Sequence, residues 1–166
     1  MLRLLIALVS VVVPTALLGF LFIYWRGQDP SIVSSASLGQ STDPALVEVL
    51  RGDAQSAATQ WWLMVVAAVA VCAAVWLVLA LRRRPQTPAQ ARSGGTSWWL
   101  LLLLALLAAF GAGYLVYVND LVAAAWRLGM IAAGTAVVPV AYWLITALGV
   151  QNEMAPSVPF ATALRR

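Results

Sequence analysis

Few residues in this chain have side chains suited to chemistry. The sequence contains no histidine and one cysteine, Cys72, and all of its basic residues are arginines. These counts exclude bis-histidine haem ligation, the usual catalytic zinc sites, a disulfide within the chain, Schiff-base chemistry and a P-loop lysine. We therefore predict a non-enzymatic protein with no catalytic residues, no metal ligands and no cofactor.

The polar residues that remain as candidates lie at the ends of apolar segments: Asn119, Asp120, Arg127 and Glu153. The orientation argued below places Asp120 and Glu153 on opposite sides of a membrane, so they cannot form one acid–base pair. Asp120 is better suited to capping the last helix, and Arg127 to anchoring it by extending its side chain to the membrane surface. A membrane enzyme is therefore the least favoured of three functional hypotheses.

Two prolines and four hydroxyl residues fall inside the apolar segments. In transporters, breaks in paired helices expose backbone carbonyls to ions. Pro14 and Pro139 could cause such breaks, but no acidic or amide cluster accompanies them here. We predict that both prolines only kink their helices. The hydroxyl residues are expected to bond to their own helices, and form at most a thin polar stripe: Ser10, Thr15, Thr135 and Thr146.

The elements that must carry these residues follow from composition. Of 166 residues, 63% are hydrophobic and 10% are charged, whereas soluble domains average about 45–50% and about 25%. Four segments reach the roughly 20 apolar residues that a membrane-crossing helix needs: 4–25, 61–81, 98–118 and 121–150. The sequence predicts an all-α membrane protein, one domain over residues 1–166, with four transmembrane helices in two antiparallel hairpins. The first is an uncleaved signal anchor, and the fourth begins on either side of Arg127.

Arginine placement predicts the orientation. Cytoplasmic loops carry an excess of basic residues, and one side of the four spans holds most of them: Arg3, Arg82, Arg83, Arg84, Arg92, Arg165 and Arg166. The other side holds Arg26, Arg51 and Arg127. Both termini are therefore expected in the cytoplasm. The run Arg82, Arg83 and Arg84 serves first as this topology signal and second as a contact for anionic lipid. Rich use of alanine, leucine, valine and arginine suggests a bacterial inner membrane.

Aromatic residues support the same spans, because tryptophan and tyrosine prefer the membrane–water interface. One group is expected at the outer level: Tyr24, Trp25, Trp61, Trp62, Tyr114, Tyr117 and Trp126. A second group is expected at the inner level: Trp98, Trp99, Tyr142 and Trp143. Trp76 lies deeper in its span, where we expect it to pack between helices.

The segments between the spans give three further predictions. In the outer segment 26–60, Asp43 and Pro44 predict the start of a short amphipathic helix that ends near Arg51, before Gly52. The inner loop 82–97 has the composition of a flexible basic linker. The inner tail 151–166 is expected to be extended, with Phe160 and Leu164 as candidate anchors for a partner.

Small residues spaced four apart predict close helix packing. They occur in three spans: Ala105, Ala109 and Gly113; Ala70 and Ala74; Gly129 and Ala133, with Ala132 and Ala136 nearby. We expect an accessory or scaffold subunit of a larger membrane complex, whose partners are the lipid bilayer and other membrane subunits. The alternative is an oligomeric pore or transporter component, including a holin-like lysis protein. Orientation explains the net charge of +4, so nucleic acid is not an expected partner.

Overall fold

The computed structural model describes residues 2–38, 43–83, 87–118 and 121–162 of the chain. These form six helices: α1 (Leu2–Arg26), α2 (Ser35–Leu38), α3 (Pro44–Arg82), α4 (Pro88–Ser93), α5 (Gly95–Val118) and α6 (Ala124–Gly149). Short 3₁₀ helices cover Pro30–Ile32 and Asn152–Ser157. Helices α1, α3, α5 and α6 are long and apolar enough to cross a membrane. The prediction of an all-helical chain with four such helices is confirmed.

Helix α3 is longer than predicted because it does not stop at Gly52. Asp43 caps its first turn by accepting a hydrogen bond from the Ala45 N–H at 3.0 Å, and Pro44 takes the first helical position. The cap was predicted correctly, but the separate short outer helix was wrong. A glycine inside a helix costs only about 1 kcal/mol, and the buried residues Ala54 and Ala58 hold the next turns in place. At 1.5 Å per residue the 39-residue helix is about 58 Å long.

A small apolar cluster forms beside this extension of α3. Ile32, Val33, Ala54 and Val122 are buried together. The Ser34 N–H donates to the Leu121 carbonyl at 2.9 Å, and the Ala123 N–H donates to the Ile32 carbonyl at 2.8 Å. These bonds flank an isolated antiparallel bridge between Val33 and Val122. The pairing keeps residues 121–123 extended, so α6 begins only afterwards.

The start of the fourth apolar helix is thereby settled. Helix α6 begins at Ala124, so Arg127 lies within its first turn and the helix starts before it. Ala123 occupies the N-cap position and makes no side-chain capping bond. This corrects the prediction that Asp120 caps the helix. Asp120 and Asn119 themselves lie outside the described residues.

The opposite end of the bundle is more ordered than the sequence suggested. The predicted flexible linker contains α4, whose first turn is capped by the Thr87 hydroxyl, which accepts from the Gln90 N–H at 3.3 Å. The predicted extended tail instead folds into the 3₁₀ helix Asn152–Ser157, which packs against α4. Met154 and Ala155 in this helix, and Val158 directly after it, are buried. Arg84, Leu164, Arg165 and Arg166 lie outside the described residues.

Helix α3 contacts α1, α5 and α6, mainly through tryptophans and small residues. Trp61 lies against Gly113 of α5 and Gly134 of α6, and a Cβ placed at Gly19 of α1 would overlap the Trp62 indole. Trp76 is buried in the core, as predicted. Cys72 is also buried, as expected of a small apolar filler.

The aromatic residues expected at the two membrane surfaces differ in exposure, and their level in a membrane stays a prediction. Trp25 and Trp99 are exposed. Four others are buried between helices: Trp61, Trp62, Trp98 and Tyr142. The side chains of Tyr114 and Tyr117 lie outside the described part of the structure.

Candidate functional site

The main concave feature of the structure is an apolar groove of about 1030 Å³ between α1 and α6. Helix α1 contributes Val11, Leu18 and Phe22 to one wall, and α6 contributes the other, while Trp61 and Trp62 of α3 form the floor. We call this feature the α1–α6 groove. Its volume lies at the upper end of the range for ligand pockets in proteins, about 300–1,000 Å³.

Contacts link the two helices at both ends of the groove. Near their Leu2 and Gly149 ends, a Cβ added to Gly149 would lie 3.4 Å from the Ala7 Cβ. Toward the Arg26 end, the rings of Phe22 and Trp126 lie with their centroids 6.5 Å apart. The floor is fixed by Trp62, whose Nε1 donates to the Thr15 carbonyl at 3.2 Å. Two adjacent indoles, with ring centroids 6.1 Å apart, thus fill the space under the groove.

The α6 wall of the groove combines an exposed run of small residues with larger side chains such as Trp126 and Val140. Gly129, Ala133 and Ala136 line the groove, and all three are exposed. Residues three and four apart share one helix face, so these three present a continuous stretch of nearly bare backbone. Such a surface lets another helix approach closely.

The small residues that the sequence predicts as packing faces therefore lie in different environments. Ala105 and Ala109 of α5 are buried, and Gly113 meets the Trp61 ring, so this stretch is a packing face within the chain. Ala70 and Ala74 of α3 are half-buried. The small face of α6 instead remains open.

Charge is confined to one end of the groove. Arg26, the last residue of α1, is the charged residue among those that line it. Close by, the Ser31 N–H donates to Asp29 at 2.9 Å. This bond, the Ser31 hydroxyl and the Arg26 charge lower the pKa of the Asp29 carboxyl. The rest of the groove offers surface for an apolar occupant.

The hydroxyl residues do not form a polar path. Ser10, Thr15 and Thr135 each donate to a carbonyl of their own helix, at 3.3, 2.7 and 2.8 Å. Thr146 does the same toward Tyr142 at 2.9 Å, and also accepts from the Trp98 Nε1 at 2.9 Å. Each was expected to bond to its own helix, and each does. Pro14 and Pro139 lie inside the continuous helices α1 and α6.

The residues considered for acid–base chemistry are not brought together in the described structure. Glu153 is exposed at the start of the second 3₁₀ helix, whereas Arg127 is half-buried in the first turn of α6. Within the described ranges, no group of three His, Cys, Asp or Glu side chains is placed to hold a metal ion. Among the described residues, the α1–α6 groove is therefore the candidate site that we consider further.

Sequence reasoning missed the groove. The spacing of Gly129 and Ala133 was a signal for helix packing, but a spacing cannot tell whether the packing partner belongs to the same chain. Comparisons of the chain with protein-family models, with curated proteins and with solved structures find no match.

Proposed function

We propose that this protein is a non-enzymatic accessory or scaffold subunit that receives a transmembrane helix of a partner in the α1–α6 groove. The observation that carries the proposal is the exposed small face of Gly129, Ala133 and Ala136 along an open groove. In a bilayer, helices associate by close van der Waals packing, and their interfaces are enriched in small residues. We infer that the partner helix packs against the backbone of this face.

The membrane arrangement is part of the same proposal. The four long apolar helices are compatible with a multi-pass membrane protein. We place them as two antiparallel hairpins in a bacterial inner membrane, with both termini in the cytoplasm. The support is the uneven distribution of arginine, which is concentrated on the side of Arg82, Arg83 and Arg92.

Labelling of single cysteines tests the orientation. In a Cys72→Ala background, Asp53→Cys and Arg92→Cys each place one thiol at an exposed position. A membrane-impermeant maleimide added to intact spheroplasts is expected to label Asp53→Cys, and to label Arg92→Cys only after lysis. Equal labelling of both in intact spheroplasts would contradict the arrangement.

Two substitutions on neighbouring residues test the docking groove. Ala133 lines the groove, whereas Ala132 is equally exposed on α6 but is not part of its lining. Ala133→Leu fills the groove with a branched side chain, and Ala132→Leu adds the same side chain elsewhere. We expect Ala133→Leu to weaken the complex about fivefold or more, since overpacking of a fitted contact costs about 1–3 kcal/mol, and Ala132→Leu to leave it intact. Native gel electrophoresis of mildly solubilised membranes reports the complex.

A photo-crosslinking amino acid at position 140 identifies the occupant without filling the small face, because Val140 lines the groove with a larger side chain that is 58% exposed. The proposal requires one membrane protein, identified by mass spectrometry, that crosslinks at 140 and not at exposed Leu128, which lies outside the lining. Crosslinks to lipid alone would show that acyl chains fill the groove and would refute the docking. Crosslinks to a second copy of the chain would favour the alternative, an oligomeric pore or transporter component. The bonded hydroxyls of Ser10, Thr15 and Thr135 give that alternative no support.

A further inference from the structure

Phe160 has an unusual combination of conformation and exposure. Its φ is 58°, in the left-handed region that bulky residues avoid. Its side chain is 81% exposed, the highest value among the exposed large hydrophobic residues of the described structure. Strained backbone at a non-glycine residue persists where the surroundings hold it, and it often marks a functional position.

The surroundings that hold Phe160 are well defined. The preceding residue, Pro159, accepts a hydrogen bond from the Trp143 Nε1 at 2.6 Å. On either side, Val158 and Ala161 are buried in the main core. The chain therefore presents the Phe160 ring outward while its neighbours are fixed inward.

The same hydrogen bond sets the depth of Phe160. Trp143 lies six residues before the end of α6 at Gly149, which corresponds to about 9 Å along the helix. The tail thus folds back beside α6 instead of leaving the bundle. Trp98 and Tyr142 share this level, because the Tyr142 hydroxyl donates to the Trp98 carbonyl at 3.1 Å. Trp98, Tyr142 and Trp143 belong to the aromatic group that the sequence predicts at the inner membrane surface, so we place Phe160 at the headgroup level of that leaflet.

Basic residues surround the same end. Arg82 is the last residue of α3, and Arg83 follows it. Arg92 lies in the last turn of α4, which packs against the tail. The Arg83 Nη1 lies 3.4 Å from the Ser97 hydroxyl, beside the first turn of α5. Among the described residues at this end of the bundle, Glu153 is the one acidic residue. The surface therefore favours an anionic partner.

We infer that the folded tail is a lipid-recognition element: Phe160 inserts at the headgroup level of the leaflet on the Arg83 side, and Arg82, Arg83 and Arg92 bind phosphate groups of anionic phospholipid. An aromatic ring suits the interface, and basic residues next to it add affinity for anionic lipid. This inference rests on the membrane placement but not on the docking groove. Failure of the groove experiments would leave it unaffected.

Fluorine NMR tests the position of the ring without removing it. The probe is 4-fluorophenylalanine at position 160, in nanodiscs of phosphatidylcholine alone or mixed with phosphatidylglycerol. Exposed Phe110 of α5 serves as a lipid-facing control, and exposed Val49, near the start of α3 at the end opposite Arg83, as a water-facing control. We expect doxyl-labelled lipid to broaden the signal at 160 nearly as strongly as at 110. Broadening no greater than at position 49 would overturn the inference.

Native mass spectrometry tests the headgroup preference. The wild-type protein is expected to retain phosphatidylglycerol in preference to phosphatidylcholine, and the double variant Arg83→Gln with Arg92→Gln to lose about fivefold or more of that preference. The double variant Arg26→Gln with Arg51→Gln at the opposite end, with the same charge change, should keep it. A preference that is absent, or that survives the double substitution, would overturn the role of the arginines. Circular dichroism confirms that each variant is folded.

Discussion

The outward surfaces of α5 and α6 are both apolar, yet they are built from different residues. The surface of α5 carries large side chains, with Leu100, Leu103, Leu104, Leu107 and Phe110 all exposed. The groove wall of α6 carries Gly129, Ala133 and Ala136. Large flexible side chains are well matched to lipid tails, whereas small ones leave the backbone accessible to another helix. Hydropathy alone treats these two surfaces as equivalent, so side-chain size is the property that separates them.

The largest expected effect concerns the support of the groove. Gly19→Ala places a methyl group where the Trp62 indole lies, whereas Gly111→Ala on α5 adds one where no atom lies within 4 Å. We expect Gly19→Ala to lower the free energy of unfolding by about 3 kcal/mol through overpacking. Gly111→Ala should be neutral, or raise it by up to about 1 kcal/mol. Unfolding by sodium dodecyl sulfate from a mild detergent, followed by tryptophan fluorescence, measures both. Similar values for the two variants would disprove the close packing at Gly19.

An intermediate effect is expected where α5 and α6 meet. Thr146 is buried and accepts from the Trp98 Nε1, whereas exposed Thr135 bonds only its own helix in the described structure. Thr146→Val removes the acceptor of a buried donor and should cost about 1–2 kcal/mol. Thr135→Val should change stability by less than about 0.5 kcal/mol. The same unfolding measurement applies, and an equal cost at both positions would argue against a stabilising role for the Trp98 bond.

The smallest effect is expected on the lipid-facing surface of α5. Leu103 is 52% exposed, so Leu103→Ala removes little buried area and should change the free energy of unfolding by less than about 0.5 kcal/mol. The complex that Ala133→Leu disrupts should keep its size in this variant on native gels. Loss of the complex in Leu103→Ala would show that the partner binds α5 and not α6. The large side chains of α5, and not the small face of α6, would then form the interface.

Sequence reasoning found the features that depend on local chemistry. The apolar length of the four helices, and the cap formed by Asp43 and Pro44, need no knowledge of distant residues. It failed where distant residues decide the outcome. Glycine often follows the end of a helix, so a helix end was predicted before Gly52. Packing of the neighbouring Ala54 instead keeps α3 continuous. The start of α6 is set by pairing with residues 32–34, which lie far away in the chain.

The candidate groove was predictable only in part. The small residues of its α6 wall were singled out by their spacing, but the groove also requires α1 as the other wall and the bulky pair Trp61 and Trp62 beneath it. The folded tail shows the same limit. Its two prolines suggested extended chain, whereas burial of Met154 and Val158 against the helix ends outweighed that preference.

The unbroken course of α3 links the two ends of the molecule mechanically. Near its start, Arg51 is paired with Glu48 and donates to the Gln28 carbonyl at 2.9 Å, so the segment after α1 is tied to it. Further along the same rod stand Trp61 and Trp62, and at its far end is Arg83. Because α3 is one continuous helix, a displacement of the segment around Gln28 is expected to shift the floor of the groove as well. A partner helix that packs against these tryptophans would, in turn, shift the Arg83 end of the bundle.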